Sequence, residues 1–300
     1  MTWRTWLAFA ALGMIWGLPY FFIKLALVDI APAGVAWGRI TLGALVLLPI
    51  AWRQGGLKSL GAHKGAVVAF AFAELVVPFF LISVGERWIS SSLAAILIAT
   101  LPLILLVLGP LFGLREPLGK RRIAGLAIGF IGVVVLLGIG SVHGLTAWAG
   151  VGCMLLATIG YALGSIIIQK YLSEAHEVGA VAVSLGIASV AMFPAALWTA
   201  PSHMPALLSL VSLGVLGVVC SALALQLWFY LISRAGAARA SVITYINPAV
   251  AALLGVGVLH ETFGLSSALG LTLILLGSWM STLRPTAVRQ SELGTASGAQ

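Results

Sequence analysis

The chain has 300 residues, 61% of them hydrophobic and 8% charged, with a mean hydropathy of +1.13; a soluble surface usually needs about 25% charged residues, so this composition excludes an ordinary soluble domain. The net charge of +8 does not point to nucleic acid, because the basic residues sort by loop, as they do when charge directs membrane insertion. Cys153 and Cys220 fall inside apolar stretches with no His or second Cys beside them, so they read as packing residues and give no reason to expect a disulfide framework or a metal site.

A helix needs about 20 apolar residues to cross the hydrocarbon core, and the chain offers ten such segments. Segment 1 (5–27) is longer than the apolar part of an ordinary signal peptide and is expected to stay as helix 1. It carries Trp16 and Tyr20 at mid-span, and Lys24 near its end, placed to snorkel to the interface or to meet Asp29. Segment 2 (32–52) holds Arg39, expected to be structural through bonds to backbone carbonyls, with a hold on a substrate carboxylate as the alternative. In segment 3 (65–84) Pro78, Phe79 and Ser83 accompany Glu74, a mid-span carboxyl whose ionised form costs roughly 2.5–3.5 kcal/mol on insertion scales. Burial favours its neutral form. Glu74 is thus a proton-coupling candidate; a permanently protonated donor or an ion partner for Arg39 are the structural alternatives.

Segment 4 (90–112) contains Thr100 and Pro102, and segment 5 (119–140) follows Glu116 and is spaced by Gly125, Gly129 and Gly132. Segment 6 (147–169) carries Tyr161, segment 7 (179–199) is almost wholly apolar, and segment 8 (208–231) presents Gln226, Trp228 and Tyr230. Thr244, Tyr245 and Asn247-Pro248 cluster in segment 9 (240–259). The prolines at 102 and 248 each remove a backbone donor, and either bend the helices around a core or bare polar backbone to a substrate. Segment 10 (264–283) follows Glu261; Glu116 and Glu261 are expected to cap the positive N-termini of helices 5 and 10. Beyond about Arg284 the Ser-, Gly- and Thr-rich tail (285–300) is expected to be disordered.

The second half repeats the first. Trp16, Tyr20 and Lys24 precede Tyr161, Ser165 and Gln169 by 145 positions, as Glu116, Gly125 and Gly132 precede Glu261, Gly270 and Gly277; Pro102 is answered by Pro248 after one single-residue gap. Hydrophobic bias alone does not match Gly, Pro and Glu at preserved spacing. The chain therefore reads as two five-helix units, 1–145 and 146–284, in one membrane domain. Thirteen loop Lys and Arg residues lie on one side and only Arg87 on the other, which places both termini in the cytoplasm. Because five is odd, the second unit enters with opposite orientation, so the expected fold is an all-α integral membrane protein of two inverted-topology repeats.

Taken in order, Trp16-Gly17 with Phe21, Arg39, the small-residue run from Ser90 to Ala95 leading to Pro102, and Glu116 before a glycine-spaced helix resemble the drug/metabolite transporter superfamily, EamA type. The resemblance covers about residues 5–284, with Ala162 departing from the glycine expected beside Tyr161. Among members the chain looks most like bacterial exporters of aromatic and other neutral amino acids, some of which also move flat organic cations. The resemblance implies secondary transport without ATP, residence in the bacterial inner membrane, no cofactor, and a central cavity walled mainly by helices 3, 4, 8 and 9 with contributions from 1 and 6.

The residues support a cavity independently, since polar groups in lipid must face protein, water or ligand. Trp16, Tyr20, Glu74, Pro78, Phe79, Ser83, Thr100, Pro102, Tyr161, Gln226, Trp228, Tyr230, Thr244, Tyr245, Asn247 and Pro248 are the candidate substrate-binding set. Rings stack on or attract cationic groups, and no deep cluster of cations suited to phosphate occurs in helices 7–10. The pocket favours zwitterions or cations over phosphates. No HExxH or GxSxG motif is present, so enzyme chemistry is not expected. A passive channel needs a continuous polar path, which these sparse positions do not supply. Oligomeric state, monomer or homodimer, is left open.

Overall fold

The computed structural model describes residues 3–114, 120–138 and 144–282. The described residues form helices and no strands. Seven helices are long and apolar enough to span a membrane: Thr5–Ala26, Pro32–Arg53, Lys64–Gly85, Ser91–Phe112, Leu145–Leu172, Glu177–Trp198 and Leu207–Ala235. Shorter apolar helices at Ile123–Leu136, Asn247–Gly257 and Leu265–Met280 fall on predicted segments 5, 9 and 10, so the spans are numbered helices 1–10 in chain order. Glu116 and the tail lie outside the described residues. Trp52 and Trp198, at predicted span ends, are 73% and 91% exposed, which suits rings at a membrane interface.

The helices pack in a repeating scheme. Helix 5 lies along helix 10, 2 along 7, 3 along 6, 1 along 8 and 4 along 9. Exchanging each helix with the one five places on maps this scheme onto itself, as a twofold relation between halves requires. Glycines make the closest approaches. A side chain added at Gly132 would meet the backbone nitrogen of Ile274 at 2.7 Å, and one at Gly270 would meet Leu136 Cβ at 2.7 Å, so helices 5 and 10 touch nearly backbone to backbone.

Several spans are interrupted, and the sequence explains some of the breaks. Helix 1 stops at Ile15 and restarts at Pro19; helix 4 stops at Ile98 and restarts at Leu101 with Pro102 in its first turn; helix 9 passes through a tight 3-10 stretch, Ser241–Tyr245, before Asn247–Gly257. Proline lacks an N–H and suits a first helical turn, where that donor is not needed. Each proline therefore starts a new helical arm instead of merely bending an old one. Helices 3 and 8 are instead widened by π-helical turns, Ala71–Val76 and Val218–Leu223. Such turns add a residue to the ladder and redirect a side chain, here Glu74 in one half and Ser221 at the matching place in the other.

Candidate functional site

The π-turn of helix 3 and the interrupted arms of helices 1, 4 and 9 face a common central cavity. Its walls include Trp16, Tyr20 and Ile23 from helix 1, Arg39 from helix 2, Glu74, Phe79 and Ile82 from helix 3, Ile98 and Leu101 from helix 4, Tyr161 from helix 6, Leu225 and Trp228 from helix 8, and Thr244 and Asn247 from helix 9. Space open to the centre of a water-sized sphere is about 30 Å³, enough for one or two waters. An organic substrate enters only when helices part, so the chain is in a closed form.

Arg39 is only 2% exposed. Its Nε donates to Ser221 Oγ at 3.1 Å, and that hydroxyl donates to the Leu216 carbonyl at 2.8 Å, so the π-turn of helix 8 orients the guanidinium. The carbon of the guanidinium lies 3.7 Å from the centre of the Phe79 ring, a cation–π contact in a dry setting. Arg39 is thus held against helices 3 and 8, and the same side chain also lines the cavity.

Glu74 is fully buried, and neither carboxyl oxygen makes a hydrogen bond. The indole N–H of Trp228, in the same cavity wall, is likewise buried and unsatisfied. Across from it stands helix 6, where Gly164 leaves room: a Cβ there would strike Glu74 Oε2 and come within 2.9 Å of its Cβ. Trp228 in turn packs on Trp16, ring centres 4.8 Å apart and planes at 56°. Asn247 adds a buried Oδ1 with no hydrogen bond. A pocket lined by a cation, a carboxyl, unsatisfied donor and acceptor groups and several rings is suited to a small polar molecule with an aromatic part, because buried polar groups demand partners.

Gly164→Ala is expected to cut transport by about tenfold by forcing the Glu74 carboxyl aside, since overpacking costs roughly 1–3 kcal/mol. Gly152→Ala, on the same helix with open space around it, is expected to transport as the parent does. Uptake by the two purified variants in matched vesicles checks this, and equal rates would dissociate Gly164 from the carboxyl.

Of the residues nominated from sequence, Trp16, Tyr20, Glu74, Phe79, Tyr161, Trp228, Thr244 and Asn247 come together in the cavity wall. Seven others, all among the described residues, lie elsewhere. Pro78 packs toward helix 6 at Gly160, Ser83 donates to the Phe79 carbonyl at 2.8 Å, and Thr100 donates to the Leu97 carbonyl at 2.7 Å, each serving its own helix or a neighbour. Pro102 and Pro248 are buried in the first turns of their helical arms. Gln226 keeps an unsatisfied Nε2 outside the cavity wall, and Tyr230 lies under the Arg234 guanidinium, 5.1 Å away. The side chain of Tyr245 lies outside the described residues. Sequence reasoning missed the apolar liners Ile23, Ile82, Ile98, Leu101 and Leu225; no signal distinguishes an apolar residue that faces a cavity from one that faces lipid.

Two further expectations are corrected by the structure. Glu261 does not cap helix 10. Its carboxylate accepts from the Ser91 and Ser92 amides at 2.7 and 3.1 Å and from their hydroxyls at 2.9 and 3.0 Å, so it caps helix 4. The four first N–H groups of any helix need acceptors, and the cross-half packing brings the helix 4 terminus closer than its own. Lys24 does not meet Asp29 but donates to the carbonyls of Glu86 and Ile89 at 2.5 and 2.7 Å. Asp29 accepts from Ala206 N and Ser209 Oγ at 2.9 and 2.7 Å at the start of helix 8; these bonds, the Ser209 hydroxyl first, hold its carboxyl below the usual range.

Comparison with known proteins places these features. The model of the EamA-like transporter family matches residues 3–138 and again 148–283. The uncharacterized inner membrane transporter YedA of Escherichia coli (strain K12) is 29% identical, the match covering 92% of this chain and 90% of that protein. The uncharacterized transporter YoaV of Bacillus subtilis (strain 168) is 23% identical over 93% of this chain and 97% of its own. A solved structure, titled only as the crystal structure of a protein, superposes with a TM-score of 0.72 at 18% identity, covering 93% of this chain and 97% of its own, which is a likeness of fold.

Proposed function

The chain belongs to the EamA-like transporter family and is a membrane transporter, and we propose that it exports aromatic and other neutral amino acids by alternating access between two inverted five-helix halves, 1–145 and 146–284. The loop charges support both termini in the cytoplasm and, with relatives of the inner membrane, a bacterial inner-membrane location. On this reading the chain performs no enzymatic reaction and needs no cofactor. One observation carries the substrate assignment: a buried guanidinium, Arg39, and a buried carboxyl, Glu74, line one cavity among the rings of Trp16, Tyr20, Phe79, Tyr161 and Trp228.

A zwitterion satisfies that pair. Its carboxylate goes to Arg39, already oriented by Ser221, and its ammonium to Glu74 with Asn247 Oδ1 as a further acceptor. An aromatic side chain then stacks against the tryptophans, each contact worth about 0.5–1.5 kcal/mol. Flat organic cations are the second reading, favoured by the same carboxyl and rings, but they leave the Arg39 charge in the cavity opposed. Glu74, reached in turn from each side, couples proton entry to substrate exit.

Counterflow of labelled tryptophan or phenylalanine into preloaded vesicles tests the assignment. Accumulation competed by neutral amino acids and raised by an imposed pH gradient is the expected result. Competition by organic cations alone, or no accumulation beside an active control transporter, overturns it.

A further inference from the structure

A second carboxyl stands beyond the cavity, at the end of the molecule that carries the 86–90 and 258–264 loops. Glu86 lies one residue past the Lys64–Gly85 span, is fully buried, and neither of its carboxyl oxygens has a hydrogen-bond partner. Meanwhile its backbone carbonyl, with that of Ile89, holds the Lys24 ammonium. A half-buried ammonium bound to the carbonyls of Glu86 and Ile89, beside the unpaired carboxyl of Glu86 itself, is a two-state arrangement. With the acid neutral, Lys24 stays on the carbonyls and ties helix 1 to the turn between helices 3 and 4. With the acid ionised, the carboxylate is the stronger acceptor, since charge-assisted bonds are roughly twice as strong as neutral ones.

The ionisable groups within electrostatic reach of Glu86 come from several elements: Lys24 and Tyr20 on helix 1, Arg39 on helix 2, Tyr161 on helix 6 and Glu261 from the turn before helix 10. Helix 4 brings no titratable group between Ser91 and Ile98, while Glu74 and Arg87 share or adjoin its own helix. Three of these, Tyr20, Arg39 and Tyr161, line the cavity, and Glu261 holds the first turn of helix 4. Glu86 thus lies electrically between the cavity and the loops that close it. Burial pushes its carboxyl well above the usual range, with Lys24 opposing this and Glu261 adding to it.

We propose that Glu86 is a second proton-binding site of the transport cycle, and that its ionisation draws Lys24 off the carbonyls of Glu86 and Ile89 onto the flexible Glu86 side chain, which releases the backbone of the 86–90 turn from helix 1 and opens this end of the cavity. The proton passes from the carboxyl to water entering from that side, and two ammonium–carbonyl bonds are exchanged for an ammonium–carboxylate pair. Because the closed form holds the proton more tightly than an open, solvated form does, closure is favoured at low pH and lost as pH rises. The proposal rests on the secondary-transport reading but not on the identity of the substrate.

The test uses Ile82→Cys as a reporter, one turn before Glu86 and in the cavity wall, in a chain whose Cys153 and Cys220 are replaced by serine and alanine. Labelling by a membrane-impermeant maleimide is followed in vesicles as external pH rises from about 5 to about 8, normalised at each pH to the unfolded chain. With Glu86 present, the rate is expected to rise about tenfold. Glu86→Gln is expected to label slowly at every pH, and Lys24→Met quickly at every pH. A Glu86→Gln chain that keeps the parent's pH response overturns the proposal. Should that variant be polydisperse in detergent, Lys24→Met decides alone, and a retained pH response in it overturns the proposal equally. Persistence of the response in a chain that fails amino-acid counterflow supports the Glu86 site while removing the amino-acid assignment.

Discussion

Glu74→Gln is expected to lower pH-driven substrate accumulation by about tenfold or more, while exchange of labelled for unlabelled substrate persists at a measurable rate. Glutamine keeps the shape that fits against Gly164 and the capacity to hydrogen-bond, but cannot release a proton. A carboxyl that is fully buried, makes no hydrogen bond and faces the cavity gains solvation each time the cavity opens, which is the condition for exchanging a proton with each side in turn. Accumulation is measured in vesicles with an imposed pH gradient, and exchange with none. An unchanged pH-driven rate would remove Glu74 from the coupling mechanism. Loss of both activities together would make it a substrate contact without a coupling role.

Glu261→Ala is expected to destabilise the protein by about 2–3 kcal/mol, near the cost of losing a strong helix cap and bonds to a charged acceptor, with the sum discounted because the side chain is only partly buried. Four donors, the amides and hydroxyls of Ser91 and Ser92, lose their acceptor. Gly255 shows how closely the site is built, since a Cβ there would meet Ser92 Oγ at 2.8 Å and Ser91 Oγ at 2.9 Å as well as the Glu261 carboxylate. Thermal unfolding in detergent checks the effect, with a fall of roughly 5 °C expected. Glu261→Gln, which keeps one acceptor oxygen, is expected to fall by less. A melting temperature unmoved by the alanine would show that this cap contributes nothing to the fold.

These two residues were not equally legible. Glu74 announces itself in the sequence, because a carboxylate in the middle of an apolar span has few explanations. Glu261 announces only that it needs a helix N-terminus, and the nearest one in sequence, that of helix 10, is not the one it serves. The same distinction separates Tyr230 from Trp228, two positions apart on helix 8: one lies under Arg234 and the other against Trp16. Arg39 was legible as a side chain requiring acceptors, whereas its place in the cavity wall depends on the π-turn that presents Ser221.

By itself the sequence determined the solvent, the all-helical class, the positions of the spans and the likeness of the two halves, because hydropathy and spacing are local properties that each segment expresses wherever it packs. Only the tertiary structure decided which polar group answers which. Inside a membrane there is no water to satisfy an amide, an ammonium or a carboxyl, so each takes the partner that packing delivers: Ser91 finds Glu261 across 170 residues and Arg39 finds Ser221 across 182. The sequence names the groups that must be paired, and the crossing of the two halves makes the pairs.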